Sequence, residues 1–373
     1  MNPESSFDIT SSAGTYRVHI GAELLGRVAE SAGGSRTFVV TSPNIAAHWL
    51  AALAEGFQAR GAQAPVVLEV PAGEEHKRLA TVERLCEQLA EHGADRDSVL
   101  LALGGGVLGD LTGFVAAIYM RGIRWIGVPT TVLAQVDSSV GGKTGANLAA
   151  GKNLLGAFHP PITVYADIQT LQTLPERELR AGLQEAVKSG IIRDAALFEL
   201  LTQHSASILA REPAALSRVI VGSVRVKARV VMADERETGE RMLLNLGHTL
   251  GHAIEAATAY KQLLHGEAIA WGMLAATQIA AARSLITAHE RARIDETVKL
   301  YGPLRPFTAD AQDLVDLTAK DKKHRGGTRH FILPTTIGDA VVVRDVSADE
   351  LLRAAESIVQ QAAALHASPE LRA

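Results

Sequence analysis

The chain has 373 residues, of which 47% are hydrophobic and 21% charged, and its net charge is -4. This is a globular composition with room for two domains; it excludes general disorder and any global field favouring nucleic acid or an anionic membrane. A single cysteine, Cys86, excludes an intramolecular disulfide and a cysteine-rich zinc site. The N-terminal MNPESSFDIT has neither a basic nor an apolar leader region, and no apolar run approaches membrane-spanning length, so a reducing cytoplasm is the expected setting.

In chain order, β-rich runs at Tyr16–Ile20, Thr37–Thr41, Val66–Val70, Val99–Leu103 and Ile123–Val128 enclose helical patterns such as Ile45–Arg60 and Leu79–His92. That alternation predicts an α/β N-terminal domain with a mostly parallel sheet over residues 1–175. From about Pro175 the composition turns to Ala, Leu, Glu and Arg, with amphipathic patterns at Glu178–Leu209, Ala214–Met232 and Asn245–Ala257. Gly266–Ser284 is apolar on most sides and reads as a buried helix. Residues 176–373 are therefore expected to form one α-helical domain. A small hairpin is predicted from Phe331–Pro334 and Ala340–Val343 around a TIGD turn.

Several segments carry chemistry. DSSVGGKTGANLAAGKN, Asp137 to Asn153, is poor in bulky residues and makes a poor strand and a poor core helix; it suits a backbone bending around an anion, with ammonium groups aimed at it. An apolar strand enters Gly104-Gly105-Gly106 and a helical pattern leaves through Asp110, the layout that offers helix N-terminal N–H groups to a phosphate. The spacing is not that of the regular dinucleotide fingerprint, so a plain tight turn is the competing reading. The turns with Thr130 and Thr131, and with Gly73 to Lys77, also follow strands. His248 and His252 stand at i and i+4 on one helix face, a metal-ligand spacing, with His265 as a third candidate. With 13 histidines, such a pair also arises by chance. Glu185 lies on a small, apolar stretch, with Lys188 three residues on, where an ordinary helix-surface ion pair is the bland alternative. Arg121, Lys143, Lys152, Lys188, Lys227, Arg241 and the run Asp321–Arg325 are cations suited to holding phosphate or carboxylate, or else separate surface charges.

Six of these segments, in order, resemble the 3-dehydroquinate synthase family: GGGVLGDLTGFVAAIYMRG, VPTTVLAQVDSSVGGKTGAN, GKNLLGAFHPP, LPERELRAGLQEAVKSGIIRD, LLNLGHTLGHAIE and LLHGEAIAWGM. The resemblance implies a Rossmann-like NAD-binding domain followed by a helical metal- and substrate-binding domain. It also implies a phosphorylated sugar acid, 3-deoxy-D-arabino-heptulosonate 7-phosphate, as substrate. That compound becomes 3-dehydroquinate and phosphate through NAD-mediated transient oxidation, phosphate elimination, re-reduction, ring opening and intramolecular aldol closure, a step of the shikimate pathway. Carried over by position, the ligands of zinc, or of cobalt in its place, are Glu185, His248 and His265, while His252 becomes a catalytic neighbour of the substrate. NAD contacts fall on Glu74, Lys77, Gly106, Val107, Leu108, Gly109, Asp110, Thr130, Thr131, Lys143, Lys152, Thr170, Leu171, Gln172 and Thr173. Substrate contacts fall on Arg121, Asp137, Lys143, Lys152, Asn153, Lys188, Lys227, Arg241, Asn245 and His252, with one lysine of Lys322 and Lys323 joining them. Ser42 and Ala72 stand where some members carry Asp, which bears on the adenosine side, and Asn44 is retained. A homodimer without nucleic-acid or membrane partners is the implied assembly. The readings that compete are a metal- and NAD-dependent polyol dehydrogenase of the glycerol dehydrogenase type, a related sugar-phosphate cyclase, and a zinc metallohydrolase.

Overall fold

The structure is a computed structural model describing residues 4–237, 239–324 and 330–367. The strands and helices in chain order are β1 (Ser5–Ser11), β2 (Gly14–Gly21), α1 (Val28–Ala32), β3 (Thr37–Thr41), α2 (Pro43–Gln58), β4 (Val66–Glu69), α3 (Leu79–Glu91), β5 (Val99–Gly104), α4 (Gly106–Ile118), β6 (Arg124–Pro129), β7 (Lys143–Leu148), β8 (Gly151–Phe158) and β9 (Thr163–Asp167). They continue with α5 (Glu176–Arg193), α6 (Ala195–Gln203), α7 (Ser205–Leu209), α8 (Pro213–Ala233), α9 (His248–Ala257), α10 (His265–Ala282), α11 (Ala288–Leu300), α12 (Ala311–His324), β10 (Phe331–Thr336), β11 (Asp339–Val343) and α13 (Ala348–Ala367).

The chain packs as two compact units. The first is built on a sheet of order β1-β2-β9-β6-β5-β3-β4, parallel except for the antiparallel edge strand β1. β3 and β5 are buried along their whole length, so they read as continuous apolar runs rather than alternating ones. One apolar cluster joins Phe38, Leu100 and Leu68 to α3 and α4 through Leu85, Leu89, Leu111 and Phe114. Another joins Val39, Leu101 and Ile126 to α1 and α2 through Val28, Leu53 and Phe57. The five strands β4-β3-β5-β6-β9 follow the flavodoxin-like order 2-1-3-4-5, not the six-strand 3-2-1-4-5-6 order. The chain reverses direction across the sheet between β3 and β5, and open α/β sheets bind ligands beside such a reversal, at the carboxyl ends of the strands.

Two expectations are corrected here. Residues 176–373 do not form a single unit: Arg211–Glu235 belongs with the sheet. The physical reason is α8, which packs on β1, β2 and the turns at Ala134–Ser138 and Ile168–Thr173. The Asp137–Asn153 window, expected to be irregular, contains most of an antiparallel hairpin, β7 with β8. Its small residues permit the pairing, since a Cβ at Gly145 would stand 2.3 Å from the Leu155 carbonyl oxygen.

The second unit contains Glu176–Ala210 and the chain from Arg236 onward. α10 is its central helix, buried from Gly266 to Thr277, and it packs on α5, α9, α11 and α13. The amphipathic pattern over Glu178–Leu209 is carried by three helices, α5 to α7; Asp194 follows α5 and caps α6, its carboxylate accepting from the Leu197 N–H at 3.0 Å. The hairpin β10–β11 forms in the second unit. Among the described residues no helix is long and apolar enough to cross a membrane.

Candidate active site

In the sheet unit, β5 ends at Gly104 and α4 begins at Gly106. The first intrahelical bond is that from the Gly109 N–H to the Gly105 carbonyl, 3.0 Å, so the N–H groups of Gly106, Val107 and Leu108 have no acceptor within the helix. A cleft opens there, lined by Gly104, Gly105, Gly106, Gly109, Asp110 and Lys143 together with Pro129, Ser138 and Ser139. The hydroxyls of Ser138 and Ser139 are buried and find no hydrogen-bond partner among the described residues. Unpaired N–H groups at a helix start and unpaired hydroxyls suit an anionic group such as a diphosphate. Thr130 is buried beside this turn. Thr131 caps the next turn, accepting from the Ala134 N–H at 3.1 Å. Thr170, Leu171, Gln172 and Thr173 lie on the turn after β9; Thr170 donates to the Asp167 carbonyl at 2.6 Å, and Thr173 accepts from the Trp49 indole at 3.0 Å. Ser42 donates to Asn44 at 2.7 Å.

Beside the cleft lies a buried polar network. Lys77, 4% exposed, donates to Asp110 at 2.5 Å and to the Asn153 amide oxygen. Asn147 donates to Glu74 at 2.7 Å and accepts from the Asn153 N–H at 2.8 Å. On α8, buried Lys227 donates to Asp137 at 2.6 Å. Lys152 is partly exposed, and Arg121 is exposed in a turn with φ of +71°.

In the helical unit, Glu185 on α5, His248 at the start of α9 and His265 at the start of α10 bring one ligand atom each within 4.8 Å of one another. Glu185 Oε1 faces His248 Nε2 at 3.9 Å and His265 Nε2 at 3.5 Å, while Oε2 faces the Lys188 ammonium. Both Glu185 and Lys188 are 2% exposed, so this is no surface ion pair. Glu185 Oε2 is taken up by the Lys188 ammonium, while the buried Oε1 faces, among the described residues, only the two imidazoles. His248 Nδ1 donates to the Leu246 carbonyl at 3.1 Å, which leaves its Nε2 lone pair toward Glu185. On the other side of His265, Nδ1 faces buried Glu255 at 3.5 Å. A buried, unsatisfied carboxylate oxygen with two imidazole nitrogens matches the three-ligand set of an open zinc-type site, with a carboxylate behind one histidine.

The charges agree with that reading. Burial alone raises the Glu185 carboxyl, but Lys188, His265 and His248 pull it well below the usual range. Burial and Lys188 hold His248 well below its ordinary value, hence neutral, the state a ligand needs. Burial lowers His265, yet Glu185 and Glu255 outweigh it and raise the imidazole to about 9, so a metal taking this ligand would displace its proton.

His252 stands next to this trio, its ring centroid 5.2 Å from that of His248 and 6.0 Å from that of His265. It also forms a second grouping with Glu255 and His265. Arg241 is buried on the turn before α9, and Asn245 donates to Glu237 at 2.7 Å. Lys322 and Lys323 fall on α12, but their side chains lie outside the described residues, as does Arg325 altogether. Asn147, Glu237, Glu255, Ser138 and Ser139 escape sequence reasoning. Glu255 carries the one usable signal, a lone acid on an apolar helix, the same signal that picks out Glu185.

Comparison with known proteins decides the family. Residues 67–181 match the 3-dehydroquinate synthase N-terminal family and residues 182–324 the 3-dehydroquinate synthase C-terminal family. The 3-dehydroquinate synthase of Koribacter versatilis (strain Ellin345) is 46% identical over 355 residues, 94% of this chain and 97% of the relative.

The chain belongs to the 3-dehydroquinate synthase family.

Two solved structures extend the comparison to sugar-phosphate cyclases. One is ValA, the 2-epi-5-epi-valiolone synthase of Streptomyces hygroscopicus subsp. jinggangensis 5008, with NAD+ and Zn2+ bound. It is 30% identical, with a TM-score of 0.85 over 93% of this chain and 97% of that one. The other is a 2-deoxy-scyllo-inosose synthase complexed with carbaglucose-6-phosphate, NAD+ and Co2+. It is 28% identical, with a TM-score of 0.84 over 95% of this chain and 99% of that one. The α/β sheet unit and the helical unit are thus the architecture of the dehydroquinate synthase family.

Proposed function

We infer that this chain is a 3-dehydroquinate synthase, a phosphorus–oxygen lyase that converts 3-deoxy-D-arabino-heptulosonate 7-phosphate to 3-dehydroquinate and phosphate. The observation that carries the reading is identity of 46% with a 3-dehydroquinate synthase across 94% of the chain. A polyol dehydrogenase is not favoured.

NAD and a divalent metal are the cofactors; when bound, NAD supplies reversible oxidation of a substrate alcohol, and zinc or cobalt supplies Lewis acidity toward its hydroxyl. Glu185, His248 and His265 hold the metal. The N–H groups of Gly106, Val107 and Leu108, with Gly109, Asp110, Glu74, Lys77, Thr130, Thr131, Lys143, Lys152 and the Thr170–Thr173 turn, hold NAD. Lys188, Lys227, Arg121 and Arg241 counter the substrate's phosphate and carboxylate charges, with Lys152 serving both ligands. Asp137, Asn153 and Asn245 orient its hydroxyl groups, so that the reacting atoms are held in one pose. His252 takes and returns protons beside the metal ligands, and the substrate's own phosphate shares that role. We further propose a cytoplasmic homodimer. The dimer is supported by family membership and by exposed apolar side chains on β8, Leu154 and Phe158, and light scattering tests it.

The decisive assay supplies purified protein with NAD, zinc and the heptulosonate phosphate. Equal release of phosphate and dehydroquinate without net NADH is expected. Steady NADH accumulation on a simple polyol overturns the reading.

A further inference from the structure

The hairpin β7–β8 is irregular at one point: Ala146 pairs with Leu155 and Leu148 with Gly151, so the register shifts across Asn147. The extra residues fall on β8, Lys152 to Leu154, and Asn147 opposite them is left out of the strand pairing and bridges to Arg78 instead. Asn147 is 5% exposed, and its N–H and both side-chain polar atoms are engaged. Its N–H donates to the Lys77 carbonyl at 2.7 Å, its Nδ2 donates to Glu74 at 2.7 Å, and its Oδ1 accepts from the Asn153 N–H at 2.8 Å. Asn153 has a left-handed backbone, φ +54°, and its own amide oxygen accepts from Lys77. The bonds close a ring through three segments of the chain.

We propose that Asn147 is a positioning residue that fixes the Glu74–Lys77 turn and Asn153 relative to one another, so that one buried amide aligns the cofactor-holding turn with a substrate-holding residue. The proposal rests on the functional reading above for the roles of Glu74, Lys77 and Asn153. The position requires a short planar group with one donor and one acceptor. Aspartate keeps the acceptor for the Asn153 N–H but sets a carboxylate against that of Glu74. Alanine leaves Glu74 and the Asn153 N–H without their partner in a buried place, the costly half of a broken hydrogen bond. Asn147 touches neither ligand in this reading; it acts through the residues that do.

The test is a double-mutant cycle read by calorimetric NAD binding to the full-length protein. Asn147→Asp is expected to weaken NAD binding about 10-fold or more, because a charged hydrogen-bond partner is lost. Adding Glu74→Gln restores a donor–acceptor pair with the roles exchanged. The double variant should therefore bind NAD more tightly than the product of the two single effects allows. Multiplicative effects, or an Asn147→Asp protein that binds NAD like the wild type, overturn the proposal. If Asn147→Asp fails to fold, Asn147→Ala takes its place. A weakened NAD affinity in its folded fraction supports the positioning role, and a lowered Tm with unchanged affinity refutes it. Wild-type protein that does not bind NAD refutes the functional reading itself, an outcome distinct from a wild type that binds and a variant that binds equally.

Discussion

Gly272→Ala tests whether close packing of α9 on α10 sets the metal ligands' spacing. A Cβ at position 272 would stand 1.8 Å from the Gly247 carbonyl oxygen and 2.7 Å from its carbon. Ordinary contact begins near 3.4 Å, so the two backbones must separate by about 1.6 Å in a close-packed interior that has no slack to absorb it. The Gly247 carbonyl accepts the first bond of α9, from Gly251 at 2.9 Å, and His248 follows it directly, while His265 opens α10. The substitution thus drives one ligand-bearing helix start away from the other by several times the roughly 0.2 Å tolerance of metal–ligand distances. Overpacking costs about 1–3 kcal/mol, and the gain in helix propensity from Gly to Ala offsets about 1 kcal/mol of it. The net 0–2 kcal/mol, about, lowers Tm by no more than about 8 °C for a unit of this size. Zinc affinity, measured by competition with a chromogenic chelator, should instead fall by about 10-fold or more, and dehydroquinate formation with it. A variant whose zinc Kd stays within about threefold of wild type, a difference below 1 kcal/mol, refutes the reasoning.

Three further outcomes follow from the geometry. Glu255→Gln should lower zinc affinity by about 10-fold and Glu255→Ala by up to about 100-fold, since the carboxylate facing His265 Nδ1 orients that ligand; equilibrium dialysis checks both, and unchanged affinity removes Glu255 from the site. Gly106→Ala would put a Cβ 2.8 Å from Ser138 Oγ in the glycine-lined cleft, so NAD binding should weaken at least about 10-fold while Ala at a helix start leaves Tm level or raised; tight NAD binding would show that the cleft is not where the cofactor sits. Glu350 is held down to about 2, chiefly by Arg283 and then by the Ser347 N–H. Its folded value lies below the unfolded 4.5, so its contribution to stability is complete above pH 4.5 and is lost as pH falls toward 2. The Tm deficit of Glu350→Gln at neutral pH should therefore close over that window, and a deficit constant from pH 7 to 2 argues against the ion pair as its source.

The sequence by itself determined the elements whose pattern is local. The parallel strands from Thr37 to Val128 are legible because burial on both faces demands unbroken apolar runs, and the glycine turn after Leu103 because a helix must start there at close quarters. Membership of the dehydroquinate synthase family was likewise legible, since six long segments in order leave few alternatives. Tertiary structure decided what depends on partners distant in the chain. Spacing put His248 and His252 together, but it is the packing of α5, α9 and α10 that gathers Glu185, His248 and His265. The window from Asp137 to Asn153 looked irregular because its residues are small, yet that smallness is what lets β7 and β8 pair so closely. α8 is indistinguishable by pattern from its helical neighbours, and only its packing on β1 and β2 assigns it to the sheet unit, where Lys227 meets Asp137. Periodicity records which face of an element is buried, whereas the identity of what buries it is a property of the folded chain.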